Sequence, residues 1–326
     1  MEKAIIVDHL VKNFEVTEKE PGLTGAFRSI ISPKKKIIHA LRSISFTIQS
    51  GELVGFIGPN GAGKTTTLKI LSGLLYPTSG FTQVLEFDPW ERKSEFLKKI
   101  SLVMGQKNQL WWDLPAIETL ELNHAIYEIP QKEYEENLKE LVELLGVEKL
   151  LNIQVRRLSL GQRMKLELVA ALLHKPQVLF LDEPTIGLDL IAQQKLRDFI
   201  YDYNRRYNAT ILLTSHNMDD LIDLARRVIV IDEGKIIFDG ALEEIVSRFA
   251  KEKTITVTLS NENDIKKIEK IGRVKKLAFP QVVLAVPREA TALAAAELLQ
   301  DFPVTDLTIE EISIEDVVRK VFRREK

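Results

Sequence analysis

Short apolar runs recur along most of the chain and alternate with segments of helical periodicity. Runs of four to seven such residues, bounded by turn residues, are typical of strands buried on both faces of a parallel sheet. They lie at 53–57, 100–104, 178–181, 210–216 and 228–231. Between them, apolar residues three or four positions apart predict helices, as at 64–75 and 163–173. A further helix is predicted at 90–99. The alternation predicts an α/β core.

Two segments before this core alternate between apolar and polar residues. They lie at 4–14 and 38–48, and the pattern predicts a pair of antiparallel strands. An insert at about 15–37 separates them and carries an apolar patch followed by three lysines. It fits either a contact with a membrane surface or membrane partner or a solvated extension of the hairpin. The sequence leaves both readings open.

Residues 116–151 keep helical periodicity with no strand between them. We therefore predict a helical subdomain at about 106–175, set into the α/β core. Beyond residue 250 the predicted order becomes strand, helix, strand, strand, helix, strand, in which the first helix is at 265–271, with a final helix at 314–322. That order is the ferredoxin-like one. We expect a large domain at 1–248 and a small α+β domain at 250–326 with a regulatory or dimerising role.

Composition excludes several classes of protein. The 326 residues carry a net charge of −2, which gives no bulk electrostatic case for nucleic acid binding. The chain has no cysteine, so disulfides and thiolate metal sites are impossible. No apolar run is long enough to span a membrane, and the first residues lack a secretory signal. These features favour a cytoplasmic protein.

A glycine-rich loop follows the run at 53–57 and precedes the helix predicted at 64–75. Its pattern, G-x-x-x-x-G-K-T, is that of a P-loop, in which backbone N–H groups cradle a polyphosphate. The lysine reaches the outer phosphates, and the first threonine offers its hydroxyl to Mg²⁺. The loop residues are Gly58, Pro59, Asn60, Gly61, Ala62, Gly63, Lys64, Thr65 and Thr66. The strand–loop–helix order predicts nucleotide binding.

Two carboxylates end the apolar run at 178–181. Asp182 falls where the end of a parallel strand can hold Mg²⁺ beside the P-loop threonine. Glu183 is placed to polarise an attacking water. An acidic turn after a strand is common for one carboxylate, but an Asp-Glu pair downstream of a P-loop favours the catalytic interpretation.

The N-terminus of a second helix is also suited to binding an anion. Ser159, Gly161 and Gln162 precede or open the helix predicted at 163–173, where a hydroxyl and free backbone N–H groups collect. One chain thus has two phosphate-competent sites but one P-loop. If both contact the same nucleotide, the second site must come from a second copy in a head-to-tail dimer with two-fold symmetry.

Three isolated residues are weaker candidates. His216 ends the run at 210–216, where ligands of α/β sheets bind and where it could contact a γ-phosphate. Gln106 follows the run at 100–104 and could reach a metal or water. Phe14 could stack on an adenine, or it could belong to the core, where a lone aromatic side chain usually lies.

Together these motifs resemble the ATP-binding subunits of ABC transporters over residues 4 to about 245. The P-loop, Gln106, the 158–162 signature, Asp182-Glu183, the 187–189 loop and His216 occur in the family's order. The resemblance implies ATP and Mg²⁺ as ligands of Lys64, Thr65, Asp182 and the loop amides, with Phe14 on the adenine. It also implies ATPase activity.

Further roles come from the resemblance. It implies Gln106 as a sensor of γ-phosphate and Mg²⁺ that faces the membrane partner, and Ser159, Gly161 and Gln162 as ligands of the γ-phosphate held by the other copy. Glu183 would be the general base and His216 its transition-state partner. Asp189 would link the two sites across the dimer. Leu160 departs from the family, which usually has glycine there.

The insert, the 104–112 stretch and the small C-terminal domain resemble bacterial exporter cassettes of the daunorubicin or viologen kind. The tandem Trp111-Trp112 suits a protein interface, although one of the two could equally lie in the core. Permease subunits and a location on the inner face of the cell membrane follow from the resemblance. A soluble ABC-type ATPase acting on nucleic acid or ribosomes is the alternative. A GTPase is disfavoured because the Asn-Lys-x-Asp motif is absent.

Overall fold

The computed structural model describes residues 2–17, 35–105, 107–215, 218–249, 252–260, 268 and 270–311. Most of the insert at 15–37, Gln106, His216, most of the helix predicted at 265–271 and the final helix at 314–322 lie outside the described residues. The chain divides into two compact units, Met1–Gly240 and Ala241–Lys326.

A six-stranded sheet forms the centre of the first unit, in the order β5-β6-β7-β3-β8-β9. The strands β3, β5, β6, β7, β8 and β9 are Leu53–Ile57, Ile100–Met104, Val178–Asp182, Thr210–Ser215, Arg227–Asp232 and Lys235–Ala241. From β5 to β8 each neighbouring pair is parallel. Their carboxyl ends therefore meet at one edge, which is where ligands of such sheets bind.

A three-stranded antiparallel sheet in the order β2-β1-β4 packs on this core. Its strands β1, β2 and β4 are Lys3–Thr17, Lys35–Gln49 and Ser79–Val84. Residues of both sheets and of the P-loop helix share one buried cluster that includes Ile5, Leu41, Phe56 and Leu68. The apolar alternation of the first two strands thus serves to cover the core.

Within its described residues, the first unit contains helices α1 to α7. They are Lys64–Leu71, Ser94–Leu97, Ala116–Ile126, Gln131–Leu145, Leu160–Leu172, Leu190–Tyr207 and Met218–Leu224, with single 3₁₀ turns at Pro89–Glu91, Glu148–Leu150 and Val155–Arg157. No described strand lies between β5 and β6, which leaves α3, α4 and α5 as a helical subdomain.

Two helix predictions were wrong in extent. The helix predicted to run to residue 75 ends at Leu71, because Gly73 adopts φ 73° and comes so close to the Pro89 carbonyl that a Cβ would lie 2.3 Å from its oxygen. The helix predicted at 90–99 is a 3₁₀ turn followed by the four-residue α2. Arg92 has a left-handed φ of 49° between them, which no α-helix accommodates.

The second unit contains an antiparallel sheet in the order β11-β12-β10-β13. Its elements β10, β11, β12, α9 and β13 are Glu252–Leu259, Arg273–Ala278, Gln281–Pro287, Thr291–Asp301 and Val304–Glu311, after helix α8 at Leu242–Phe249. One face of the sheet packs on α9 through a cluster that includes Ile255, Val257, Leu284 and Leu298. This is the ferredoxin-like arrangement expected from the strand and helix order.

Candidate active site

The P-loop turns back on itself between β3 and α1. Gly61 and Gly63 have φ values of 84° and 113°, which are left-handed conformations that favour glycine. A Cβ on Gly63 would lie 2.6 Å from Leu41 Cδ2, and one on Gly58 would lie 2.3 Å from the Ile231 carbonyl oxygen. The glycines therefore let the loop both turn and press against its neighbours. A polyphosphate cradle requires a backbone of this kind.

Lys64 opens α1, and its side chain is 95% buried, with a relative exposure of 5%. Its ammonium donates to the carbonyl oxygens of Gly58 at 2.6 Å and Pro59 at 3.2 Å. Burial lowers the pKa of Lys64, whereas the nearby carboxylates of Glu183 and Asp182 raise it. The Nζ atom lies 4.0 Å from Glu183 Oε1. The loop thus encloses a cation.

Asp182 lies at the carboxyl end of β6 between two hydroxyl groups. Thr65 Oγ1 donates to its Oδ2 at 2.8 Å, and Thr214 Oγ1 donates to its Oδ1 at 2.7 Å. The parallel register of β6 and β7 puts Asp182 opposite Thr214. Hydroxyl and carboxylate oxygens are donors that Mg²⁺ prefers, and Mg²⁺ usually completes its shell with phosphates and waters. The Thr65 and Asp182 oxygens fit such an ion.

Glu183 has an unusual backbone, with φ 53° in a residue other than glycine. Its N–H donates to the carbonyl and the hydroxyl oxygen of Thr214, at 3.0 and 3.1 Å. Those bonds hold the strained turn that aims the side chain into the site. Gly105 crosses directly behind, where a Cβ would lie 2.1 Å from the Glu183 carbonyl oxygen. Glycine is therefore required immediately before Gln106.

A cavity of about 440 Å³ joins the P-loop to the two carboxylates. That volume is within the usual range for small-molecule sites. Its lining residues are Asn60, Gly61, Gly63, Lys64, Thr65, Thr66, Lys69, Met104, Lys107, Asp182 and Glu183. Phe14 does not line it. Phe14 is half-buried in β1, paired with Ile38, with Lys12 Nζ 5.0 Å from its ring centroid.

The signature residues lie on a different cavity, of about 800 Å³, which also includes Asp189. No residue lines both cavities. Ser159 caps α5, which begins at Leu160, three residues before the predicted start. Gln162 N–H donates to Ser159 Oγ at 3.2 Å, and Ser159 N–H donates to Gln162 Oε1 at 3.0 Å. This capping box leaves Ser159 and Gln162 exposed at a helix N-terminus.

Leu160 packs on the loop before Asp189. A Cβ on Gly187, whose φ is 72°, would lie 2.7 Å from Leu160 Cδ2. A Cβ added to Gly161 would make only ordinary van der Waals contacts, at 3.7 Å from Ala192 Cβ and 3.8 Å from Leu188 Cδ2. Asp189 caps α6 by accepting from the Ala192 N–H at 2.9 Å. The leucine therefore joins the signature to this loop and leaves the face at Gly161 open.

A buried network missed by the sequence analysis fixes the end of β7. Asp220 is fully buried and accepts from Thr185 Oγ1, Ser215 Oγ and Arg197 Nη1, at 2.5, 2.8 and 2.9 Å. Three such bonds stabilise a buried carboxylate. Because Ser215 directly precedes His216 and Thr185 follows Glu183, the network ties together the segments that carry both catalytic candidates. No local pattern marks a network of this kind, because its members are brought together by the sheet.

Glu167 is a second buried carboxylate that the sequence analysis missed. It lies in α5, where Gln109 N–H donates to its Oε1 at 3.3 Å and Arg163 Nε lies 3.4 Å from the same atom. Among described residues, Oε2 has no hydrogen-bond partner. Burial raises the pKa of Glu167 to about 7, although Gln109 and Arg163 lower it in part.

We expect Glu167→Gln to stabilise the protein above neutral pH. The folded pKa of Glu167 exceeds its ordinary value of 4.5, so its contribution to stability is complete below pH 4.5 and is lost as pH rises through 7. The variant should match the parent at pH 5 and exceed it at pH 8, by at most about 3 kcal/mol. Urea unfolding at both pH values measures this. A variant of exposed Glu143, Glu143→Gln, is the control, and an equal difference at both pH values would contradict the account.

Comparisons with known proteins agree with this site. The ABC transporter family matches residues 41–186, and the C-terminal domain of EvrA-like ABC transporters matches residues 251–310. The ABC transporter ATP-binding protein NatA of Bacillus subtilis is 36% identical over 212 residues, covering 65% of this chain and 86% of NatA. Linearmycin resistance ATP-binding protein LnrL of the same species is 28% identical over 291 residues, covering 86% and 92%.

A solved structure described as the ATP binding subunit of an ABC transporter superposes with a TM-score of 0.62. It is 25% identical and covers 76% of this chain and 93% of that one. No helix in the described part of the chain is both long and apolar enough to cross a membrane. The family resemblance and the fold class expected from the sequence are confirmed. The chain belongs to the ABC transporter family as an ATP-binding subunit, and it is an ATPase.

Proposed function

We propose that two copies of this chain form a head-to-tail dimer around ATP and Mg²⁺ and drive a membrane exporter from its cytoplasmic side. The observation that carries the catalytic part is the arrangement of Thr65, Asp182 and Glu183 around the enclosed Lys64. It combines a cation for phosphates, two oxygens for a metal ion and a carboxylate for a water.

Each residue has one task in this proposal. Lys64 and the loop amides hold the phosphates, while Thr65 and Asp182 hold Mg²⁺, which would neutralise phosphate charge when bound. Glu183 accepts a proton from the attacking water as general base. Gln106 and His216 remain proposals from the resemblance, as sensor of the γ-phosphate and as transition-state partner. Phe14 would offer adenine the ring face opposite Lys12.

The dimer follows from the separation of the two cavities. The P-loop cavity contains no signature residue, and the cavity at Ser159, Gly161 and Asp189 contains no P-loop residue. A second copy in two-fold head-to-tail orientation brings each P-loop against the partner's signature. Ser159 and the first N–H groups of α5 then face the γ-phosphate. When hydrolysis removes the γ-phosphate the two copies lose this contact and separate.

Export is proposed by analogy. LnrL, which matches over most of both chains, has linearmycin resistance in its name, and outward transport is the simplest way in which an ATPase subunit would contribute to resistance. The test is whether ATP drives uptake of the transported compound into inside-out vesicles that contain the chain with its permease. Uptake supports export. Co-purification with nucleic acid or ribosomes instead of a permease would favour the soluble alternative.

We propose Trp111 and Trp112 as the contact with the permease. Their side chains are 54% and 50% exposed, although their backbones are anchored, with Arg156 N–H donating to the Trp112 carbonyl and Trp111 N–H to Thr119 Oγ1. Exposed aromatic side chains on a fixed backbone are typical of interface anchors. The two tryptophans follow Gln106 by five and six residues, on a segment that the Gln109–Glu167 hydrogen bond ties to α5.

The double variant Trp111→Ala/Trp112→Ala should keep basal ATPase activity within about two-fold, because neither side chain lines the P-loop cavity. Transport in the vesicles should be lost. The control is Tyr201→Ala, which removes another part-exposed aromatic side chain, from α6. Loss of basal activity in the tryptophan variant would contradict the proposal. Both side chains are exposed, so the placement of one of them in the core, which the sequence left open, is wrong.

A further inference from the structure

We propose that the sheet of the second unit binds the same sheet of a second copy, face to face, through the side opposite α9. This contact between the two sheets is separate from the head-to-tail dimer proposed above. Only the strength of the contact rests on that dimer. The inner face belongs to the buried cluster on α9. The outer face is defined here by rows of paired residues across the four strands.

Strand register settles which residues share the outer face. In antiparallel sheets, residues directly opposite one another project to the same side. One row runs Lys276–Val283–Thr256–Thr308 from β11 to β13. The row beside it runs Arg273–Ala285–Thr254–Glu310. Val282, Leu284, Ile255 and Val257 alternate with these residues and lie in the inner cluster.

The central residues of the outer face are themselves small and uncharged, although Lys275 and Arg273 reach from β11 across β12 to Thr254 and Glu252 on β10. Thr254, Thr256, Thr258 and Val283 are half-buried and rise little above the strands. Two sheets that face each other pack about 10 Å apart when the side chains between them are as small as threonine and valine. Away from the row at Ala285, the rows at Val283 and Thr258 form a flat strip on which a second sheet can pack.

Charge is divided between the two edges of this face. Arg273, Lys275 and Lys276 lie on β11, and Lys275 Nζ donates to Thr254 Oγ1 at 3.3 Å across the sheet. Asp306 and Glu310 lie on β13 and are exposed. Arg273 pairs with Glu252 at 3.1 Å. Among the described residues, Lys276, Asp306 and Glu310 have no ion-pair partner.

This division makes the face complementary to itself in one orientation. A two-fold axis that runs along the strands places β11 of one copy over β13 of the other and keeps each row over its own equivalent. Basic side chains then meet acidic ones at both edges. The perpendicular axis would place β11 over β11, where like charges repel. The charges thus select a second copy and its orientation.

The area limits how strong this contact can be. Four strands spaced about 4.8 Å apart and about 20 Å long cover roughly 400 Å² per copy. Stable dimers bury about 1,200–2,000 Å² in total. The contact is therefore too weak to hold two free chains together at low concentration. It strengthens once the ATP-dependent dimer raises the local concentration of the second sheet.

Cysteine cross-linking of the full chain tests this, because the natural sequence contains no cysteine. In Lys276→Cys/Thr308→Cys, the two thiols are three strands apart within one chain, about 14 Å, but are opposite each other between copies. A bis-maleimide shorter than that distance should join two chains. The control is Leu293→Cys/Leu299→Cys, two exposed positions on α9. Both pairs are compared without nucleotide and with Mg-ATP.

We expect at least about five-fold more covalent dimer from the sheet pair than from the α9 pair, with a further increase in Mg-ATP. A yield equal to the α9 control in both conditions would overturn the proposal. A high yield that Mg-ATP does not raise would support this face and count against the ATP-dependent dimer, so the two proposals fail separately. Cross-linking to a permease in place of a second copy would also overturn it.

A charge exchange tests the orientation. Lys276→Glu adds an acid facing Asp306 and Glu310 of the other copy and should lower the cross-linked yield. That yield is measured here through the single substitution Val283→Cys at the centre of the face, which can link only two different chains. Lys276→Glu/Thr308→Lys restores a basic residue opposite and should return the yield. Equal yields from the two variants would contradict the axis along the strands.

Discussion

Replacing Glu183 with glutamine should slow steady-state ATP hydrolysis on the order of 100-fold or more. Glutamine keeps the size of the side chain and can still orient a water, but it cannot accept the water's proton. A loss of that size equals about 2.7 kcal/mol of transition-state stabilisation. ATP binding should persist, because the phosphate contacts come from Lys64, Thr65 and the loop amides. Phosphate release and fluorescent-nucleotide binding measure the two effects separately.

The control for this variant removes a carboxylate that lies outside the P-loop cavity. Asp202→Asn changes an exposed acid on α6 and should hydrolyse ATP at the parent rate. If Glu183→Gln also retained the parent rate, the general base would have to be another group. If it failed to bind ATP, the left-handed turn at Glu183 would be the part that the substitution disturbed, and φ 53° would be a structural rather than a catalytic feature.

Replacing Lys64 with alanine should weaken nucleotide binding about 10- to 100-fold and abolish hydrolysis at sub-saturating ATP, because charge-assisted hydrogen bonds to phosphate are lost. The fold should survive, since burial already lowers the pKa of Lys64 and so disfavours its charge. Thermal unfolding without nucleotide checks that point. Titration with labelled ATP measures the affinity.

Lys69→Ala is the matched control, because Lys69 also lines the P-loop cavity but lies one turn further along α1. Its effect on affinity should be small by comparison. Equal losses from both substitutions would mean that the cavity attracts phosphate by its general charge and that the enclosed position of Lys64 has no special part.

Much of this site could be predicted because the information is local. The P-loop spacing, the apolar strand before it and the carboxylates at the end of β6 each lie within a few consecutive residues. Parallel strands of one sheet then bring their carboxyl ends to the same edge, so no further signal in the sequence is needed. The start of α5 was also readable, because Ser159 and Gln162 form the S-x-x-Q spacing of a capping box. The predicted start at residue 163 overlooked that signal.

Other parts depend on residues that are distant in sequence. Thr214 enters the site because its strand pairs in register with β6, and nothing near it distinguishes it from other strand threonines. Gly105 is required only because the Glu183 carbonyl crosses behind it. Asp220 and Glu167 look like ordinary helix carboxylates until packing buries them. Such roles come from tertiary contacts, which hydrophobic periodicity does not encode.

The molar mass of Glu183→Gln in solution tests the central claim most directly, which is that each complete site is built from two chains. Light scattering should give the mass of two chains in Mg-ATP and of one chain in Mg-ADP. Adding Ser159→Glu places a carboxylate against the partner's γ-phosphate and should return the mass to one chain while ATP stays bound. A single-chain mass of Glu183→Gln in saturating Mg-ATP would contradict the account.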